Sequence, residues 1–79
     1  MCNISLLKEQ ALKALNEART DVENKTTAAL NAEYALGVFG GISKVIQNLD
    51  PEEYISLCSM TVDRRSELMR IIEPIYNKL

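Results

Sequence analysis

The chain has no histidine, no tryptophan, only two cysteines, and no glycine or proline before Gly37. Each absence removes something. Without histidine, no side chain titrates unaided near neutral pH, so acid–base catalysis built on an imidazole is excluded. Two cysteines cannot supply the four ligands of the usual zinc sites. An excess of one charge is missing too. Residues 1–40 hold four basic and five acidic side chains and residues 41–79 hold five and six, so each half stands at −1. A nucleic-acid binder gathers Lys and Arg on one face, and no such gathering is visible.

Long apolar runs are also absent. The longest, from Ala28 to Leu49, is interrupted by Asn31, Glu33, Ser43, Lys44, Gln47 and Asn48. A membrane span needs about 20 predominantly apolar residues, so none is expected. The opening residues MCNISLLKEQ lack a basic segment followed by an apolar one, the pattern of a secretory signal. The expected compartment is therefore a reducing cytoplasm, with Cys2 and Cys58 as free thiols and Cys58 a small core residue. No cofactor and no metal is expected.

What is present is helix-forming material. The 79 residues are 47% hydrophobic and 25% charged, which suits one folded domain at residues 1–79. Ala, Leu, Glu and Lys dominate the first half, all good helix formers. No alternating run suggests a strand. The expected fold class is all-α.

The apolar residues fall in a stripe. Ile4, Leu7, Ala11, Ala14, Ala18, Ala28, Ala32, Ala35, Phe39 and Ile42 follow alternating steps of three and four, continuing to Ile46 and Leu49. This is a heptad pattern, and Leu15, Val22, Ala29 and Leu36 widen it. Only Asp21 and Lys25 break the register. Two arrangements satisfy that pattern. The chain turns near residues 24–27, with Thr26 or Thr27 capping a second helix; or one helix runs from 4 to 49 with a polar layer in its seam. A helix of that length measures roughly 69 Å, against a radius of gyration of about 12 Å for a compact chain. The continuous form thus requires a second chain. The absence of a strong turn residue between 20 and 27 favours this long helix, with the stripe as a self-association surface in a homodimer.

Leu30, Tyr34, Val38 and Val45, with Gly37 and Gly41, form a second row, as on a central helix with neighbours on two sides. A break or kink is expected at Gly40–Gly41. Asp50-Pro51-Glu52-Glu53 is a strong helix start: Asp50 at the N-cap, Pro51 at N1 and Glu53 completing a capping box. This short helix should bury Tyr54, Ile55, Leu57 and Cys58 and stop near Ser59–Thr61. A last helix, capped by Thr61, should bury Val62, Leu68, Met69, Ile72, Ile75, Tyr76 and Leu79 and kink or end before Pro74.

Arg64 and Arg65 then fall in a first turn, where the helix dipole disfavours cations. Either nearby acids (Asp50, Glu52, Glu53, Asp63) offset them, or the pair anchors an acidic partner protein. Arg64, Arg65, Arg70 and Tyr34 are the candidate partner-binding residues, because Arg and Tyr concentrate at interface hot spots. The sequence contains no pairing of nucleophile and base and no phosphate loop after a strand. The expected function is a small non-catalytic protein–protein interaction module, a regulator, inhibitor or co-chaperone. Two alternatives are a helical nucleic-acid-binding regulator, disfavoured by Asp63, Glu67 and Glu73 alternating with the arginines, and a structural assembly subunit.

Overall fold

A computed structural model describes residues 3–77. The expectations for Cys2 and Leu79 lie outside those residues. Three helices follow one another: α1 (Ile4–Asn16), α2 (Lys25–Leu49) and α3 (Pro51–Tyr76). The fold is all-α and compact, with a radius of gyration of 13.4 Å and a longest extent of 42 Å. That extent matches a 26-residue helix, which is about 39 Å long.

The stripe between residues 4 and 49 is one pattern carried by two helices, not one long helix. α1 stops at Asn16, and residues 17–24 form a loop. Asn24 starts α2, its Oδ1 accepting the amide N–H of Thr26 at 2.9 Å and of Thr27 at 3.2 Å. The threonines are therefore capped rather than capping. Asp21 and Lys25 are exposed, so no polar layer exists within a seam. Arg19, in the loop, accepts at its backbone carbonyl from Asn31 Nδ2 at 2.6 Å, which ties the loop to α2. With α1 folded back, its stripe meets that of α2 inside a single chain.

The core consists of Ala11, Leu15, Ala32, Ala35, Phe39, Ile46, Leu57, Leu68 and Ile72. Leu15, Ile46, Leu57 and Leu68 are its largest fully buried side chains. Alanine lets α1, α2 and α3 approach closely, and these four larger residues fill the volume between them. Every buried side-chain polar atom among the described residues has a partner. Ser43 Oγ donates to the Gly40 carbonyl at 3.1 Å.

α2 and α3 share a single joint. Asp50 is at once the C-cap of α2 and the N-cap of α3. Its N–H donates to Ile46 O at 2.7 Å, and its Oδ1 accepts from the Glu53 N–H at 3.3 Å. The expected capping box is half formed. The Glu53 carboxylate does not turn back to Asp50 but takes Lys8 Nζ of α1 at 2.6 Å.

The helices continue through three places where a stop was one expectation. α2 runs through Gly37, Gly40 and Gly41, none with positive φ. α3 runs through Ser59–Thr61, because the Thr61 hydroxyl is satisfied within the helix by the Leu57 carbonyl at 2.8 Å. Thr61 is buried and does not cap. α3 also continues past Pro74 to Tyr76. Proline there removes one hydrogen bond in the last turn, where little helix remains to be disturbed. Burial along α3 differs accordingly. Leu57, Leu68 and Ile72 face the core, Tyr54, Cys58 and Ile75 are half-buried, and Ile55, Val62, Met69 and Tyr76 are exposed.

A Cβ added at Gly37, Gly40 or Gly41 would meet nothing within 4 Å. Glycine inside a helix costs about 1 kcal/mol relative to alanine. Replacing any of the three by alanine should therefore raise the unfolding free energy by about that amount, as read from urea melts.

Candidate functional site

The two adjacent arginines part company. Arg64 points to the end of α1. Its Nε donates to the Leu15 carbonyl at 3.0 Å, and its Nη2 donates to the Ala18 carbonyl at 3.2 Å. Its Nη1 pairs with Glu67 one turn on. The last carbonyls of a helix have no partner within it, and the guanidinium fork suits two acceptors held side by side. Arg65 turns toward α2. Its Nε donates to Thr61 Oγ1 at 3.0 Å and its Nη2 to the Cys58 carbonyl at 2.6 Å. Its guanidinium lies 5.6 Å from the centre of the Phe39 ring, a cation–π distance. Neither sits in a first turn, because α3 begins at Pro51. The dipole conflict expected from the sequence does not arise, and backbone carbonyls with Glu67 take the place of the acids expected as partners.

Arg70 and Tyr34 are exposed, on different helices. Tyr34 is 76% exposed on the outer face of α2. Arg70 borders a shallow groove of about 430 Å³ with Arg65, Ser66, Met69 and Glu73. The four candidates thus do not form one site. The stripe residues Ala11, Ala28, Ala32, Ala35 and Phe39 are buried, and Ile4, Leu7, Ala14, Ala18 and Ile42 are half-buried. Most of that stripe is consumed by packing within the chain.

A larger groove of about 550 Å³ lies between α2 and α3, its apolar part formed by Leu36, Gly37, Met69 and Ile72. It sits at the end of the hairpin away from Asp50. α1 is only 13 residues long and runs alongside α3 from the Lys8–Glu53 pair to the Arg64–Leu15 bond, so it does not reach this end. Sequence reasoning placed Met69 and Tyr76 in the core and so missed the groove. The available signal was the seven-residue spacing of Ile55, Val62, Met69 and Tyr76, which puts them on one side of α3, turned away from Leu57 and Leu68.

Two tyrosines carry altered ionisation. Tyr76 donates its phenol proton to Glu33 Oε1 at the mouth of the groove. That hydrogen bond, reinforced by the Glu33 charge, raises the phenol above its ordinary 10.0. Tyr54 is raised as well, chiefly by the neighbouring Cys58 side chain. Among the described residues, no three of His, Cys, Asp and Glu gather as a metal site, and no helix is long and apolar enough to cross a membrane.

Two measurements check these contacts. Arg64→Ala should lower stability by about 1.5–3 kcal/mol, the range for hydrogen bonds to a charged group, with α1 amides losing exchange protection first. Arg64→Lys should fail to restore it, lacking the fork. For Tyr76, a folded-state value above the unfolded one means the contact's stability is complete below pH 10 and fades as pH rises through the raised value. Glu33→Gln should bring a tyrosine ionisation back toward 10.0 in a spectrophotometric titration; an unchanged curve would count against the contact. Compared with protein families, with curated proteins and with solved structures, the chain finds no match in any of the three.

Proposed function

We propose that this protein is a small non-catalytic interaction module of the cytoplasm, a regulator, inhibitor or co-chaperone that works by presenting a helix face to another protein. One observation carries the reading. Gly37, Gly40 and Gly41 lie in the interior of α2, and nothing in the chain's own packing requires a missing Cβ at any of them. At about 1 kcal/mol each, the three together weaken the fold without an internal return. They sit beside the exposed Leu30, Tyr34 and Val45 and the half-buried Val38. An outer helix face with large apolar residues around a smooth centre suits close approach of a partner helix, with Tyr34 as an anchor.

The nucleic-acid alternative has less to support it. Two of the three arginines it would use, Arg64 and Arg65, donate to groups within the chain, and Arg70 alone makes a poor phosphate-binding surface.

The test is a comparison of captured proteins. The wild-type chain should retain a protein from a lysate of its source cells that Tyr34→Ala and Gly41→Gln variants, shown to be folded by circular dichroism, release. A captured set indifferent to both substitutions would refute the assignment to this face.

A further inference from the structure

We propose that two copies of this chain exchange α1. Residues 17–24 straighten into helix, α1 and α2 join as one helix over residues 4–49, and each α1 takes the place the other copy's α1 vacates. The register of the buried residues carries this inference. Ala11, Ala32, Phe39 and Ile46 are core residues separated by whole multiples of seven. Leu15 and Ala29 are buried and Leu36 packs on the core, again at multiples of seven. The first of each series is on α1 and the rest are on α2. In a hairpin the loop turns each helix separately, so their buried faces need no common phase. In one supercoiled helix they must share it, because whole heptads keep a seam on one side. Inside the loop, Ala18 and Val22 fall on the same two series.

The hinge is free of anything that forbids helix. Residues 17–24 contain no glycine or proline, and none has positive φ. Glu17, the C-cap of α1, has φ −90° and ψ −1°, so α1 lacks the left-handed residue that commonly seals a helix end. Arg19 and Glu23, and Asp21 and Lys25, are opposite charges one turn apart, a spacing that stabilises helix. Among the described residues neither pair is closed in the hairpin. The loop is instead fastened from outside, by Arg64 on the Ala18 carbonyl and Asn31 on the Arg19 carbonyl. In the long helix the Leu15 and Ala18 carbonyls accept from the amides of Arg19 and Val22.

A second copy is the occupant because the site is already shaped to α1. Another copy brings the same Ala11 and Leu15 to the core and the same Lys8 to Glu53, so exchange needs no new complementarity. Since α1 folds back along α2, the two long helices lie antiparallel about a two-fold axis through the hinges. The short tether gives α1 an effective concentration of about millimolar at its own site. Exchange therefore competes once the chain approaches that concentration.

Tyr34, Gly37 and Gly41 stay on the outer face of α2 in both forms, so this test and the comparison of captured proteins are independent. Refolded at about millimolar concentration, the wild-type chain should give a species of twice 8.9 kDa in sedimentation. Carbodiimide coupling of Lys8 to Glu53 should then link two chains, where in the hairpin it closes one, and Lys8→Arg should abolish the link. Asp21→Leu with Lys25→Leu fills the polar steps of the seam and should strengthen the dimer by about tenfold or more. Val22→Pro forbids helix through the hinge, at an amide that makes no backbone hydrogen bond in the loop. It should return even the leucine variant to a monomer with the hairpin's helix content. A wild-type chain monomeric at that concentration would overturn the proposal. So would a dimer coupled only within its chains, or a leucine-variant dimer that survives Val22→Pro.

Discussion

The arrangement of this protein turns on how the end of α1 is satisfied. A helix that stops leaves carbonyl groups facing outward, and α1 stops against α3. Arg64 answers from α3, holding the Leu15 carbonyl at the end of α1 and the Ala18 carbonyl in the loop that follows. That contact fastens α1 to α3 where the chain doubles back after residue 16. The burial of Ala11 and Leu15 against α2 closes the alanine stripe on itself. Lys8 and Glu53 add a second tie between α1 and α3, but both are partly open to water, where an ion pair contributes little.

The same contact explains which features were legible in the sequence. The helical class, the Asp50–Pro51 start and the apolar stripe are local properties of composition and spacing, and the folded chain carries all three. The end of α1 is not local. Residues 17–24 contain no glycine or proline, and the groups that stabilise the loop, Arg64 and Asn31, come from other helices. The continuous register through Asp21 and Lys25 therefore arises from two helices whose phases happen to agree. The opposite error occurred at Ser59–Thr61 and at Gly40–Gly41. Both look like stops when read alone. Thr61 bonds back to its own helix, and the glycines are carried by the packing of Phe39, Ser43 and Ile46 on either side. A bond within the helix carries α3 through Ser59–Thr61, and tertiary burial carries α2 through Gly40–Gly41.

The candidate site was legible in part. Tyr34 is as exposed as its position in the second row suggests, whereas Arg64 and Arg65 each donate to groups within the chain. An arginine beside an apolar helix reads equally well as a hot spot or as a cap, and only the position of α1 separates the two. The open row on α3 was obscured for a related reason. Its residues are as apolar as those of the core, and the boundary at Ser59–Thr61 expected from the sequence hid the seven-residue interval linking Ile55 to Val62.

The joint at Asp50 has one further consequence. A hairpin with several loop residues tolerates changes in length, because slack absorbs them. Here one residue ends α2 and begins α3, so the angular phase of the second helix is locked to that of the first. A single inserted residue would advance α3 by about 100°. Leu57, Leu68 and Ile72 would swing from the interior toward water, Arg64 would leave the end of α1, and the exposed α3 row would turn to a new side. The chain's core, its cap and its outer surface are thus geared together through one aspartate. That gearing makes the length of the segment, more than the identity of most residues within it, the quantity the fold holds fixed.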